Sequence, residues 1–311
     1  MPNIRPLPEA LQKVACEELN EVSERIEQDL KDLRQWIEKQ PHLRARTEDQ
    51  FLISFLRGCK HSMEKAKSKI DNYYTLRTKY PDFYTIQNID DPKMIELFDL
   101  GVGVNLPTPL NETGPRLMYI RTGSYSTDKF TFADVMCLAN GTQEITIIND
   151  DYSVVNGYVQ ILDMANYTTA HMMQITPTVI KKMSAYAEDA TPTRLKAVHF
   201  INAPAALDKL FNISKSLMPP KQQQRLHMHG INWQSTLFEH IPQKYLPNEL
   251  GGENGSLEEI IQHNRNIFQE YRDFLIEGLK YGVDEKLRIG PVPDYDQIFG
   301  VDGSFRKLQV D

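Results

Sequence analysis

Residues 154–164, VVNGYVQILDM, carry the pattern that decides the fold. Their β-branched and alternating apolar residues predict a strand, and further strands are predicted at RLMYIR (116–121) and LKAVHFI (195–201). Helical patterns separate these strands, at FADVMCLANGTQEITII (132–148) and at TPTVIKKMSAYAED (176–189). Because strand and helix alternate along the chain, we expect βαβ units and a mainly parallel sheet with right-handed crossovers.

The part of the chain before these strands has a different periodicity. Apolar residues recur at intervals of three and four between residues 7 and 40, which predicts an acidic helix that ends before Pro41. Two further helices are predicted for residues 48–58 and 62–79. We therefore expect an all-helical N-terminal domain over residues 1–95, an α/β domain over residues 96–275 and a C-terminal extension over residues 276–311.

Composition and charge describe an ordinary globular protein. The 311 residues are 41% hydrophobic and 25% charged, with a net charge of −7, so the molecule as a whole should not attract nucleic acid. The three cysteines, Cys16, Cys59 and Cys137, are far apart and form no CxxC motif, which is typical of a reducing compartment. The first residues lack a signal-peptide pattern, and no apolar run is long enough to span a bilayer. We therefore expect a cytoplasmic protein.

The common catalytic motifs are absent from the sequence. GVGVN (101–105) lacks the third glycine of a dinucleotide loop and the Gly-Lys-Ser/Thr of a phosphate loop, so it predicts a turn. No GxSxG nucleophile elbow is present, and no cysteine lies in a setting that would activate a thiolate. We therefore expect a protein that is not an enzyme and has no cofactor.

Two histidines in LHMHG (226–230) raise the question of a metal site. On a strand, His227 and His229 point to the same side, so both could contact one ion. A structural zinc takes four ligands and a catalytic zinc three, and the nearby His240 and Glu239 do not give HExxH spacing. Packing or hydrogen bonding is therefore the favoured interpretation, and we expect no metal.

Positive charge is concentrated between residues 194 and 229. This stretch has six Lys or Arg residues and one acid, although the whole chain is acidic. Arg194 and Lys196 are two apart on a predicted strand, and Lys221 and Arg225 are four apart in a short predicted helix, so each pair shares a side. A solvated basic surface would explain this pattern. The functional alternative is an anionic headgroup site beside a membrane-facing helix.

Several segments together resemble the CRAL-TRIO lipid-transfer family, and within it the insect members of the α-tocopherol transfer protein branch. They are DQFLISFLRGCKHSMEKAKSKIDNYY, QITPTVIKKM, RLKAVHFIN, RLHMHG and LPNELGGE, and with the helical N-terminal part they span about residues 10–275. The resemblance implies an α/β lipid-binding domain with a hydrophobic cavity, preceded by an all-helical domain. It also implies a mobile lid helix over residues 203–218 and a basic cleft for phosphoinositides.

The resemblance also assigns residues to these three features. The cleft residues are Arg194, Lys196, Lys221 and Arg225, which are also the cations that the charge pattern selects. The lipid cavity residues are Met136, Asn140, Gln143, Tyr158, Leu162, Ile175, Met183, Tyr186, Ala187 and Val198. The lid residues are Leu207, Leu210, Phe211, Ile213, Leu217 and Met218. Asn140, Tyr158 and Tyr186 are more polar than their counterparts in the tocopherol branch, which favours a ligand with an oxygen function.

We expect, from this resemblance, a cytoplasmic carrier that binds one hydrophobic lipid and exchanges it during transient contact with phosphoinositide-containing membranes. Tocopherol, a retinoid, a carotenoid, another isoprenoid and a phospholipid all stay open as cargo. Two alternatives also stay open: a phosphoinositide-sensing adaptor without transfer activity, and a lipid-modifying enzyme with the cavity as its active site. At any one position, a cavity wall and an ordinary core have the same sequence pattern.

Overall fold

A computed structural model describes residues 2–203 and 223–300 of the chain. The N-terminal part consists of helices, as predicted. Their bounds are α1 (Glu9–Leu19), α2 (Ile26–Glu38), α3 (Asp49–Gly58), α4 (Met63–Lys79), α5 (Pro81–Tyr84) and α6 (Pro92–Asp99). A two-residue strand, β1 (Leu43–Arg44), lies between α2 and α3. The six lid residues and Lys221 lie outside the described residues.

The predicted continuous helix over residues 7–40 is wrong, because the chain turns at Asn20. Asn20 adopts a left-handed conformation, with φ of 60°, and its backbone N–H donates to the carbonyl of Ala15. This is a common way to end a helix, since Asn tolerates the left-handed region better than most residues. Periodicity alone did not reveal the break, because apolar residues recur at helical spacing on both sides of it, although α1 and α2 bury them in separate clusters.

Helix α3 is the centre of the N-terminal part. All its residues from Phe51 to Arg57 are buried, including the charged one. The Arg57 guanidinium donates through Nε to a carboxylate oxygen of Glu21 at 2.7 Å, and Glu21 is buried too. Burial raises the pKa of Glu21, but hydrogen bonds from His61 and Arg57 outweigh it and lower this pKa to about 2. The pair therefore ties the α1–α2 connection to α3.

The main sheet has five strands in the order β2-β3-β4-β5-β6. The strands are β2 (Gly103–Asn105), β3 (Arg116–Arg121), β4 (Tyr158–Asp163), β5 (Leu195–Ile201) and β6 (Leu226–Met228). β2 pairs antiparallel with β3, and the other three pairings are parallel, so the mainly parallel sheet is confirmed. The residues 103–105 predicted as part of a turn form the edge strand β2, while Gly101, with φ of 61°, makes the turn.

The helices between these strands are α7 (Phe132–Asn149), α8 (Asp151–Asn156), α9 (Thr169–Met173) and α10 (Pro177–Ala185), and a π-helical turn continues α10 over Tyr186–Ala190. The first three residues of the strand predicted at 154–164 belong to α8 instead. Gly157 separates α8 from β4 with φ of 79°, and a Cβ there would lie 2.2 Å from the carbonyl oxygen of Arg194. Only glycine fits both the conformation and the contact.

The chain after β6 covers one face of the sheet and then returns to the N-terminal helices. It contains α11 (Gln234–Leu237), α12 (Leu257–Glu270), α13 (Arg272–Gly278), β7 (Gly282–Val283) and α14 (Tyr295–Phe299). β7 pairs antiparallel with β1, which attaches the C-terminal part to the helical part. Within residues 2–203 and 223–300, no helix has the length and hydropathy to cross a membrane.

The two faces of the sheet are packed differently. One face, the packed face, consists of Leu117, Tyr119, Val159, Ile161 and Ile201, all of which are buried. Their side chains form one core with apolar residues of the segment after β6, among them Trp233 and Leu237. Because successive strand residues alternate between faces, the residues between them point to the other side.

Candidate functional site

The other face of the sheet, called the half-buried face below, is equally apolar but less covered. It includes Met118, Ile120, Leu162, Phe200 and Met228, whose side chains are only partly buried, together with the polar Gln160 and the buried Tyr158 and Val198. The strand register places them side by side, since Met118 pairs with Gln160, Ile120 with Leu162, and Phe200 with both Leu162 and Met228. A central parallel sheet usually buries both faces, so this apolar surface marks a place where the side chains of residues 2–203 and 223–300 do not complete the packing.

The predicted cavity residues come from two helices, two strands and the loop before α10. Met136, Asn140 and Gln143 lie on α7, Tyr158 and Leu162 on β4, Ile175 in the loop, Met183 on α10, Tyr186 and Ala187 on its π-helical turn, and Val198 on β5. Tyr158, Leu162 and Val198 share the half-buried face by strand alternation. The assignment of the ten as cavity wall stays a prediction.

The two side-chain amides among these residues are already engaged inside the protein. The side-chain amide of Asn140 donates to the carbonyl oxygen of Phe83 at 3.1 Å, and that of Gln143 donates to the hydroxyl of Thr193. The ring of Tyr186 stacks between those of Tyr73 and Tyr84, with ring centroids 5.9 and 4.7 Å away. These contacts join the α/β part to the N-terminal helices. A ligand oxygen would therefore compete with bonds that the protein makes to itself.

Three of the four predicted cleft cations are described, and they lie at the amino ends of β5 and β6. Arg194 donates to the carbonyl oxygens of Arg57 (3.3 Å) and Val155, so part of its hydrogen-bonding capacity supports the fold. Burial lowers the pKa of Arg194. Arg225 begins β6, where its carbonyl oxygen accepts from the backbone N–H of Val198 at 2.7 Å. A guanidinium has five donors, so Arg194 keeps others for a ligand.

Lys196 is the exposed member of this group. Burial of part of its side chain lowers its pKa, and the positive charges of Arg194, Lys60 and Arg225 lower it further, while Glu18 opposes them. A lysine whose pKa is lowered by several like charges lies in a region of positive potential. That region is suited to a phosphate or another anion.

Lys60 is a residue of this region that sequence reasoning missed. It lies in the turn between α3 and α4, where both Lys60 and His61 have φ of 55°, and its side chain is exposed. Asn20 donates to its carbonyl oxygen at 3.3 Å, which holds the turn against the end of α1. The signal available in the sequence was the basic density of RGCKHSMEKAKSK (57–69), but nothing in the sequence places this turn beside β5.

A second surface that sequence reasoning did not select lies on α9 and α10. Met172, Met173, Ile180 and Met183 are exposed there, and Met173 is 76% exposed. Lys181 is exposed between Ile180 and Met183. We call these four apolar residues the exposed patch. Exposed apolar side chains close together are unfavourable in water and are typical of a surface that meets an apolar partner.

Two clefts in the described part of the chain lie elsewhere. One, of 380 Å³, lies between β2, α7 and α12 and is lined by Asn105, Thr146 and Asn264 among others. The other, of 480 Å³, lies between α6, α7 and α12, beside Met94 and Phe268. Neither is lined by a predicted cavity residue, so they are separate from the half-buried face.

The histidines of LHMHG lie in and just after the edge strand β6. The ring of His227 stacks on that of His199 from β5, with centroids 4.7 Å apart, and Nε2 of His229 is 2.9 Å from Nδ1 of His199. Across residues 2–203 and 223–300, no group of three or more His, Cys, Asp or Glu side chains is arranged to hold a metal ion. The histidines therefore form a packed and hydrogen-bonded cluster.

Two family models match the chain. Residues 22–94 match the model described as Pinta-like, UBA domain, and residues 109–252 match the CRAL/TRIO domain. The first match covers most of the helical part and the second covers the main sheet from β3 to β6.

Known proteins and structures resemble the chain over most of its length. Clavesin-2 of Homo sapiens is 27% identical over 246 residues, which cover 79% of this chain and 74% of that protein. Clavesin-1 of Pongo abelii is also 27% identical over 246 residues, which cover 79% of this chain and 68% of that protein. The crystal structure of Sfh5 aligns with a TM-score of 0.46 and 12% identity, over 82% of this chain and 92% of that chain.

Proposed function

We propose that this chain, whose residues 109–252 match the CRAL/TRIO domain, is a member of the CRAL-TRIO lipid-transfer family and a cytoplasmic carrier of one hydrophobic lipid. The lipid would lie against the half-buried face and be exchanged at membranes that contain phosphoinositides. We propose an isoprenoid as the cargo, because the wall of the site combines apolar side chains with few polar ones. The carrier needs no catalytic group.

The half-buried face is the observation that supports this proposal most. Complete burial of an exposed apolar side chain contributes about 1.5–3 kcal/mol, and each of the five partly buried apolar side chains of this face would gain the part of it that corresponds to its remaining exposure. A ligand that covers them therefore adds to stability as well as occupying space. A polar ligand would forgo this gain, so the surface favours a hydrophobic molecule.

The exposed patch supports transient contact with a bilayer. Ile180 and Met183 flank the exposed Lys181 in the sequence, so apolar insertion and attraction to anionic lipid can act together. The predicted lid residues are expected to act on the same membrane surface. The membrane would then bind the open carrier better than the closed one, which is the requirement for opening to depend on contact.

The cluster of positive charge around Lys196 supports recognition of an anionic headgroup. Each basic residue near an anionic membrane surface contributes about 1 kcal/mol of binding. Phosphate groups accept several hydrogen bonds from guanidinium and ammonium donors, and a phosphoinositide carries more of them than an ordinary phospholipid. Headgroup binding at the amino ends of β5 and β6 would bias the adjoining segment toward opening.

The cargo is tested by extracting the purified protein with organic solvent and analysing the extract by mass spectrometry. We expect one hydrophobic species in near-stoichiometric amount. A protein that carries no lipid, and takes none from loaded vesicles, would contradict the proposal. Chemical conversion of the bound molecule would point to an enzyme, and loading without donation would point to a sensor.

The cleft is tested by transfer to vesicles with and without phosphoinositide. Lys196→Ala with Arg225→Ala should reduce the phosphoinositide-dependent rate by about tenfold or more, because two contributions of about 1 kcal/mol are removed. Lys31→Ala with Lys280→Ala is the matched control, since both lysines are exposed and neither affects Lys196. Unchanged transfer by the first variant would remove the cleft from the mechanism and leave the lipid site.

The exposed patch is tested by vesicle docking. Met173→Asp with Ile180→Asp should prevent docking, because each carboxylate would have to enter the apolar phase. Ile95→Asp on α6, which is also an exposed apolar position, is the control. Normal docking by the double variant would mean that another surface, such as the predicted lid, makes the contact.

A further inference from the structure

Four histidines from three separate elements meet at the edge of the main sheet. His199 comes from β5, His227 from β6, His229 directly follows β6, and His240 follows α11. Every pair of rings has centroids between 4.7 and 6.5 Å apart, and His199 stacks on both His227 and His229. Side chains that can each gain a positive charge are thus held in mutual contact.

The hydrogen bond between His199 and His229 requires that at least one of the two rings is neutral. His199 Nδ1 and His229 Nε2 are 2.9 Å apart, so one nitrogen must donate and the other must accept. The other nitrogen of His229 is 2.7 Å from the hydroxyl of Thr236. If both rings of the first bond were protonated, two N–H groups would point at each other and the bond would be lost.

Among the described residues, no acidic side chain is one of the groups that shift the pKa of His199 or His229. His199 is buried, at 2% exposure, and the charges that shift its pKa are those of His227, His229 and His240. For His229 they are those of His240 and His227. The elements packed here are β5, β6 and the residues after α11. The titratable groups from these elements that shift the pKa of His199 or His229 are therefore histidines. Glu239 is exposed and is not among the groups that shift either pKa.

Burial and this mutual repulsion lower the pKa of His199 to about 3 and that of His229 to about 4. Both rings are neutral in the folded protein at neutral pH. Each pKa is lower in the closed cluster than in an exposed histidine, for which it is about 6.5. Above pH 6.5 both the closed and the opened arrangements hold neutral rings, so the closed cluster has its full stability there. Its stability falls as the pH drops below that value, since an opened arrangement takes up protons that the closed one excludes.

The cluster bridges the junction between β5 and the short edge strand β6. β6 has three residues, lies at the edge and pairs with β5 alone. Backbone bonds from Val198 to Arg225 (2.7 Å) and from His229 to Phe200 (3.0 Å) close the two ends of this pairing. Residues 204–222, which include the predicted lid, are the segment that connects β5 to β6 along the chain.

We propose that the four histidines form an acid-sensitive latch, in which proton uptake separates β6 from β5. Separation lets His199 and His229 reach water and removes the like-charge contacts. If the proposed carrier function holds, on which this consequence rests, opening also divides the half-buried face between Phe200 and Met228 and promotes lipid release. An anionic membrane surface concentrates protons by about half a pH unit, so contact itself would help to open the latch.

The latch is tested on the whole protein by hydrogen exchange followed by mass spectrometry from neutral pH to about pH 5. After correction for intrinsic exchange, protection at residues 198–200 and 226–229 should fall, approaching a hundredfold per pH unit while two protons are taken up. Residues 52–55 of α3 provide the internal reference and should keep their protection. Equal protection of the β5–β6 junction across this range would overturn the latch.

His199→Gln with His229→Gln assigns the effect to the cluster, because these are the two rings whose pKa values are lowered. Glutamine keeps hydrogen-bonding groups but cannot take up a proton, so the pH dependence at the junction should become flat. His263→Gln is the matched control, because His263 is exposed on α12 and outside the cluster. A pH dependence that persists in the double variant, or disappears in the control, would overturn the assignment.

Two further measurements keep the latch and the carrier function separable. If the double variant does not fold, NMR titration of the wild-type imidazoles is the alternative measurement. Two histidine rings with pKa values well below 6.5 would support the latch. Four rings with pKa values of about 6.5, while the β5–β6 junction stays closed, would exclude it. Transfer to vesicles at neutral and acidic pH gives the second measurement. Transfer without any pH-dependent opening removes the latch alone, whereas opening without transfer at any pH removes the carrier function alone.

Discussion

The two faces of the main sheet are made by the same strands and differ in what covers them. On the packed face, Val159 and Ile161 are enclosed by residues of the segment after β6. On the half-buried face, Leu162 and Phe200 are as apolar but remain partly accessible. The apolar pattern along a strand therefore indicates that one face of the sheet is shielded from water. It does not report whether the protein itself or a guest covers that face.

The strongest test of this difference truncates neighbouring residues on β4. Ile161→Ala should lower the free energy of unfolding by about 2–5 kcal/mol, because it leaves a cavity in a fully packed core. Leu162→Ala should cost clearly less in lipid-free protein, since its side chain is already only partly covered. Chemical denaturation of lipid-free protein measures both. Equal costs would mean that the two faces are packed alike.

A second test compares hydroxyl groups on the two faces. The Tyr119 hydroxyl donates to Oδ2 of buried Asp163 at 2.6 Å, so Tyr119→Phe should cost about 1.5–3 kcal/mol of unfolding free energy. Tyr158 lies on the other face, and its hydroxyl makes no hydrogen bond with the part of the chain that the structure describes. Tyr158→Phe should therefore change stability by less than about 0.5 kcal/mol. The comparison fails if the second substitution costs as much as the first.

A third test fills the half-buried face instead of emptying it. Leu162→Trp should change the free energy of unfolding by less than about 1.5 kcal/mol, because the larger ring can extend into the space left for a ligand. It should nevertheless reduce the amount of lipid that copurifies with the protein, measured by mass spectrometry. Ile95→Trp, on the surface of α6, is the control and should retain full loading. Full loading of Leu162→Trp would place the lipid elsewhere.

The smallest expected effect concerns the charge at the amino ends of β5 and β6. Lys60→Gln should weaken binding to phosphoinositide vesicles by roughly 1 kcal/mol, about fivefold, because one cation beside Lys196 is lost. The effect should decline as salt is added, since exposed charges are screened. Lys280→Gln is the control, and a sedimentation assay measures both. An equal loss in the control would show that only net charge matters.

Much of the fold follows from residues that lie close together in the sequence. The strands at 116–121 and 195–201 and helices α3, α4 and α7 were predicted almost to the residue, because each has a strong period and a clear end. The predicted bounds of helices and strands were wrong where a single residue ends an element although the apolar periodicity continues. Asn20 divides a helix that looks continuous, and Gly157 ends a helical turn inside what looks like one strand.

The candidate site was predictable in part. The run of basic residues after position 194 identified Arg194, Lys196 and Arg225, because they lie close to one another on adjoining strands. Lys60 could not be identified in the same way, since only tertiary contacts bring the α3–α4 turn to β5. The four-histidine cluster was missed for the same reason. LHMHG supplies two of its members, and His199 and His240 join them through pairing and packing.

The sequence alone determined the order of the elements, the alternating apolar pattern and the local concentration of positive charge. These are properties of neighbouring residues, and backbone geometry converts them directly into helices, strands and faces. Only the tertiary structure decided which face of the sheet is closed, which hydrogen bonds occupy Asn140 and Gln143, and which histidines touch. Burial and contact depend on segments far apart in the chain, so no local pattern specifies them.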